Sequence, residues 1–301
     1  LYRPAEGARR SPYALAEWGR KIADDDSRPG VGLRADGLPD IVWGEPVVAG
    51  TYKIGGDEKA RKSLPEQDVT FDYSYRLAIY PITVKQFEIF LKVQDGIALD
   101  RWWSSLSFGW GDKQVGEQTE KSANHPRTDV NWYQAVAFCR WLTVQYRDAN
   151  LLDADSEIRL PTGQEWEVVA RYPDGRAYPW GNDYRVGSAN CDEQERGDGP
   201  YLLNRSVAVG LYEKGKQPHL GIYDLSGTVW EWCLNESSKP ERTATEGTAL
   251  RVLRGGSWRS LTSLARAASR LAYDPLGRSS FIGFRVVLAP VQSLSSESSG
   301  L

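Results

Sequence analysis

The 301-residue chain contains no methionine, only two histidines and only three cysteines. Cys139, Cys191 and Cys233 are too few and too widely spaced for a disulfide framework or a Cys-x-x-Cys metal site, so a reducing, cytoplasmic compartment is expected. His125 and His219 cannot by themselves supply a histidine-rich metal centre. His125, which precedes Pro126 in a loop, reads as a structural hydrogen-bonder. Because position 1 is Leu, the natural start is expected upstream, and the missing signal peptide carries little weight. No stretch is long and apolar enough to span a bilayer, so no membrane partner is expected. Charge of one sign is also lacking: 37 basic against 40 acidic residues leave −3, and no overall field favours nucleic acid.

What is present is ordinary in bulk and unusual in detail. Hydrophobic residues make up 41% and charged residues 26%, as in globular proteins, while 12 Trp and 29 Gly indicate a loop-rich fold in which large aromatics bury much of the area. We expect one main domain over residues 41–290, an N-terminal extension or linker over 1–40, and a frayed, disordered Ser-rich tail over 291–301.

Helix starts are marked by a small polar cap with Gln or Glu three residues on: Thr83 with Gln86, Asn131 with Gln134, and Thr162 with Glu165. The first two open helices whose apolar residues share a face, Val84, Phe87, Phe90 and Leu91 in one, Ala135, Phe138, Cys139 and Leu142 in the other. The third carries Trp166 and Val169 and follows a short strand ending at Pro161. From Ala177 to Glu236 the text is dense in Gly, Trp, Tyr and Asp, and regular elements are expected to be scarce. The fold class is α+β.

Chemistry is harder to find. Asp24-Asp-Asp, Asp192-Glu, and Glu165 with Glu167 form no distinctive acid–base pair and read as surface charge or helix capping. The glycine pairs Gly55-Gly and Gly255-Gly lack the spacing of a phosphate cradle and read as tight backbone turns.

Several phrases, taken together, resemble the formylglycine-generating-enzyme (sulfatase-modifying factor) family: Tyr80-Pro-Ile-Thr, His125-Pro, Val130-Asn-Trp-Tyr-Gln-Ala-Val-Ala-Phe-Cys-Arg-Trp-Leu, Arg159-Leu-Pro-Thr-Gly-Gln-Glu-Trp-Glu, Pro179-Trp-Gly-Asn, Val229-Trp-Glu-Trp, Arg251-Val-Leu-Arg-Gly-Gly-Ser-Trp and Gly283-Phe-Arg. The resemblance implies a C-type lectin-like fold of that type, loop-rich with short strands and a few helices. It also implies where the catalytic cysteines would fall, just after Trp258, and there this chain has Arg259, Ser260 and Ala265. Serine cannot replace a thiolate as a soft copper ligand at neutral pH, so no enzymatic activity of that kind is expected. A related iron-dependent branch needs more histidines than this chain has. The resemblance further implies a structural calcium with Asn190, Asp198 and Glu231 as side-chain ligands. Thr228 replaces the usual Asn there, so we place loop capping ahead of calcium and expect no required cofactor.

The segment from Trp258 to Phe281 is the most informative. Trp258, Arg266, Arg270 and Arg278 match the family pattern and are read as the scaffold of a site. Between them stand Arg259, Ser260, Leu261, Ser263, Ser269, Leu271, Ala272, Tyr273, Leu276, Gly277, Ser279, Ser280 and Phe281, at positions where relatives often carry Asn or Asp. That mixture resembles the variable proteins of diversity-generating retroelements, in which adenines of Asn-type codons are randomised. Such codons cannot yield Trp, Met, Lys, Gln or Glu, and none of these occurs from 259 to 281. The resemblance implies a binding surface for a protein or small-molecule ligand, with Tyr and Ser as adaptable contacts. A fixed-specificity sensor or enzyme module of the same family is the alternative.

Overall fold

The computed structural model describes residues 11–107 and 113–291. The expected disordered tail therefore lies outside the described residues except for Val291. Helix α1, Pro12–Lys21, starts at Ser11, whose hydroxyl accepts the Ala14 N–H, and has Pro in its first turn, where the missing donor costs nothing. Its Leu15 and Ala16 are buried with Val207, Ala208, Leu211 and Tyr212. Asp26 accepts from Arg28 Nε at 2.9 Å, from Arg28 Nη2 at 2.7 Å and from Asn124 Nδ2 at 2.8 Å. Residues 12–40, expected as an extension or linker, are thus packed onto the body. The turn-forming residues that suggested a linker are held by side chains: Asp40 accepts the Gly30 N–H at 2.7 Å, and Gln86 Nε2 donates to the Asp40 carbonyl at 2.7 Å.

Strands β1 (Gly50–Ile54) and β2 (Gln67–Phe71) form an antiparallel pair. Then come β3 (Arg76–Leu77), α2 (Val84–Lys92), a 3-10 turn (Asp100–Trp103), α3 (Trp132–Asp148), β4 (Ser156–Arg159) and α4 (Gly163–Arg171). Helices α2, α3 and α4 each carry the capping box read from the sequence, with side chain and backbone bonded reciprocally. Among the described residues, regular structure between α4 and the next strand is confined to a 3-10 turn, Glu213–Gly215. The C-terminal part holds β5 (Trp230–Glu236), β6 (Arg251–Arg254), a 3-10 turn (Thr262–Ala265), β7 (Arg270–Tyr273), β8 (Ile282–Gly283) and β9 (Val287–Pro290). One sheet has the order β3-β9-β4 and another β7-β6-β5-β8, the β5–β8 pairing being parallel and the rest antiparallel.

The main core is aromatic. Phe87 and Phe138 stack at 5.3 Å, and Phe90, Trp141 and Phe284 pack around them at tilted or edge-on angles. Helix α3 is buried on nearly every face, so the two-faced pattern expected of it is blunted. A second core gathers Val47, Tyr75, Trp166, Ile222 and Val252 between the β1–β2 pair, α4 and the central sheet.

Ion pairs tie these layers together. Glu165 and Glu167, expected as capping or surface charge, are both fully buried. Glu165 caps α4 and is gripped by Arg159 Nη1 and Nη2 at 2.7 Å each. Burial pushes its carboxyl up, but the Arg159 charge and hydrogen bonds outweigh that and hold it below the usual range. Glu167 accepts from Gly55 N–H, Arg171 and Arg254, linking the first strand pair to β6.

Candidate ligand-binding surface

The central sheet delivers the segment after β6 to the surface through Gly255 and Gly256, whose φ values of 95° and 77° lie in the region that favours glycine. A side chain at 256 would press on Ala265 Cα and the Leu264 carbonyl, both at 3.1 Å. The pair is a tight turn, as its spacing suggested.

Trp258 is the pivot of the segment. Its N–H donates to the Thr228 carbonyl at 3.1 Å and its indole Nε1 to the Ser280 carbonyl at 3.3 Å, so the start and the end of the segment are laced together. Arg259, which is exposed, lies over both the Trp258 ring (5.9 Å) and the Phe281 ring (5.2 Å). The structure therefore brings positions 259 and 281 into one surface, although 22 residues separate Trp258 from Ser280.

Arg266 and Arg270 are each held by a hydrogen bond to the body of the protein. Arg266 Nε donates to Asp57 at 2.7 Å with its guanidinium 5.2 Å from the Tyr178 ring, and Tyr178 stacks on Trp180. Arg270 Nη2 donates to the Ser237 carbonyl at 3.0 Å. Arg278 is half-buried, its Cδ near Gly116. Tyr178, Trp180 and Asp57 flank the segment from about 80 and 200 residues upstream. Only a family phrase at Pro179-Trp-Gly-Asn hinted at the aromatic pair, and nothing in the sequence pointed to Asp57.

The thirteen candidate contact positions separate into groups. Arg259 and Leu276 are exposed, with Leu276 at 40%. Leu261, Ser263, Ala272, Gly277, Ser279 and Ser280 are partly exposed. Leu271, Tyr273 and Phe281 are also partly exposed, but they pack against the main core, so each presents only one side to solvent. Ser260 and Ser269 need correcting. Ser260 is 3% exposed and closes a turn with Ser257, its Oγ accepting the Ser257 N–H at 3.0 Å; Ser269 is fully buried, its Oγ accepting the Arg61 N–H and donating to the Ser263 carbonyl, both at 3.2 Å. Both hydroxyls stitch backbone and are withdrawn from any ligand. Gly277 lies against the Tyr273 ring, and an added Cβ would collide with it.

The three side chains named for calcium stand in different surroundings. Both oxygens of Glu231 are taken: Oε2 accepts from Trp166 Nε1 and Arg285 Nε, Oε1 from Arg285 Nη2, all at 2.7 Å. Asp198 is exposed and accepts from Thr262 Oγ1. Asn190 is buried, with Nδ2 on the Arg205 carbonyl and Oδ1 without a hydrogen-bond partner. Among the described residues, no three His, Cys, Asp or Glu side chains group to hold a metal.

The thiols are equally withdrawn. Cys139, Cys191 and Cys233 are buried and unpaired as disulfides, and burial raises each above the ordinary thiol range, Cys191 to about 12. His125 is buried with Nδ1 3.1 Å from Ser206 Oγ, the structural role its loop position suggested. No helix among the described residues is long and apolar enough to cross a membrane.

The serine/threonine-protein kinase Pkn1 of Chlamydia trachomatis is 29% identical over 79% of this chain, and the match spans 37% of the kinase's own length. The inactive C-alpha-formylglycine-generating enzyme 2 of Mus musculus is 29% identical, covering 73% of this chain and 77% of that protein. Among solved structures, Treponema denticola variable protein 1 superposes with a TM-score of 0.51 at 20% identity, covering 81% of this chain and 94% of that one, a likeness of fold. The model for the sulfatase-modifying factor enzyme 1-like domain matches residues 38–290, and the chain belongs to that family.

Proposed function

We propose that this protein is a non-enzymatic binder whose ligand contacts the surface built from Arg259, Leu261, Ser263, Ala272, Tyr273, Leu276, Ser279, Ser280 and Phe281, and whose residues there are diversified by a retroelement. The observation that carries the reading is the clasp at Trp258, where an indole hydrogen bond and a shared arginine join the two ends of the segment into one patch on a rigid sheet. Exposed side chains on such a support can change at little cost to folding. The absence of cysteine from the segment and the burial of all three thiols support a role without thiol chemistry. The likeness of fold to a protein named as variable supports the same reading.

Sequencing the 3′ end of the gene across related isolates, and comparing it with any adjacent near-copy repeat, tests this. The expected result is variation confined to adenine-matched codons of the exposed positions. An invariant segment would overturn diversification and leave a fixed-specificity sensor or enzyme module, a reading favoured by the match to part of a larger kinase-named protein.

A further inference from the structure

A pocket of 610 Å³ opens between α2 and the loop at 115–127, and none of the candidate contact positions lines it. Its walls are braced from behind. The Val84 and Lys85 N–H groups donate to the His125 and Ala123 carbonyls at 2.9 and 3.0 Å. Gln118, buried, donates to the Glu120 carbonyl at 2.9 Å and accepts the Thr128 N–H at 2.9 Å, which fixes the loop against itself. The pocket is therefore formed in advance of any ligand.

Its lining combines carbon with unneutralised positive charge. Val84, Ile89, Leu91, Val115 and Ala123 supply the apolar part. Lys85, Lys92, Lys121 and Arg127 face only Asp24 and Glu88 in the lining. Glu88 is shared, 2.9 Å from Lys92 Nζ and 3.8 Å from Arg127 Nη1, and Lys121 pairs at 2.9 Å with Glu117 outside the lining. Half-buried Lys85 has no ion-pair partner among the described residues. Arg127 is 2% exposed, lies 5.2 Å from the Phe87 ring and donates from Nη2 to the Gly116 carbonyl at 2.9 Å, while its buried Nε meets no acceptor. A single carboxylate charge matches the ammonium of Lys85, and the carbon walls ask for a hydrocarbon body behind it.

We propose that this pocket binds a small amphiphilic carboxylate, its head at Lys85 and its chain against Val84, Ile89 and Val115. None of the pocket's lining residues is a candidate contact position of the surface around Trp258, so the two can be tested apart. Calorimetric titration of the protein with octanoate, octanol and inorganic phosphate decides it. Saturable octanoate binding is expected, weakened at least about tenfold by Lys85→Glu and unchanged by Leu276→Ser. Lys85 stands in the first turn of α2, where an acidic residue suits the helix dipole, so the variant should fold; circular dichroism checks that. Absence of saturable octanoate binding, binding unaffected by Lys85→Glu, or octanol or phosphate binding as tightly as octanoate would each overturn the proposal.

Discussion

Arg285 grips Glu231 through two hydrogen bonds of 2.7 Å, Nε to Oε2 and Nη2 to Oε1, with neither side chain exposed to solvent. The same guanidinium donates to the carbonyls of Ala78 and Tyr223 at 2.9 Å, so one ion pair fastens β5 to the return of the chain toward β9 and to two loops. Glu231→Gln leaves a buried guanidinium without its counter-charge and should cost about 3–5 kcal/mol. Urea unfolding monitored by tryptophan fluorescence measures it, and a loss under about 1 kcal/mol would show that the pair is dispensable.

Positions 259 to 281 should divide sharply in their tolerance. Arg259→Ser and Leu276→Ser change exposed side chains and should move stability by no more than about 0.5 kcal/mol. Ser260→Leu and Ser269→Leu remove hydroxyls that accept the Ser257 and Arg61 N–H groups and overfill sealed space, and should cost about 2 kcal/mol or more. The same unfolding assay separates the two classes; equal effects would contradict the division.

Two buried groups should give stability opposite dependences on pH. Burial, only partly offset by the Gly210 N–H and the Arg285 charge, raises Asp224 to about 6. The folded form then holds a proton the unfolded chain releases, so this contribution is present below about pH 4 and is lost as pH rises through about 6. Asp224→Asn keeps an acceptor for Gly210 N–H and suits φ of 58°, and should exceed wild type in stability by roughly 2–3 kcal/mol at about pH 7.5 but by little at about pH 4. His125 has the other sign. Burial, then the charges of Arg205 and Arg20, lowers it to about 3, so its contribution is present above about pH 6.5 and is lost as pH falls toward 3. His125→Asn should flatten the acid limb of a stability–pH curve, and an unchanged limb would count against a neutral buried ring.

Chelation should leave the protein as it was. With Glu231 committed to Arg285 and Trp166, the melting temperature is expected to be the same in EDTA as in millimolar calcium. A rise of several degrees with calcium would instead show that a cation binds the folded protein.

The sequence disclosed what is decided locally. The capping pairs at Thr83, Asn131 and Thr162 act over three residues, so they could be read directly and recur in the structure. The Gly255-Gly turn was legible for the same reason. Glu231 looked like a free oxygen ligand because Arg285 stands 54 positions away. Ser260 and Ser269 looked like contact residues because serine is small and polar in either environment, and only Asp57, Arg61 and Asp192 arriving from distant loops reveal which side of the segment faces inward. Residues 12–40 read as an extension or linker because the partners of Leu15 and Ala16 lie some 190 positions downstream.

The close approach of Gly277 to the Tyr273 ring couples the side chains that these two positions can carry. Any side chain acquired at 277 demands that the ring at 273 shrink or swing aside and that the Asp274 carbonyl give slightly, so a smaller residue at 273 removes the larger of two obstacles. Surveyed one letter at a time, 277 would look intolerant. Surveyed jointly with 273, it would add a second, correlated vocabulary to the patch.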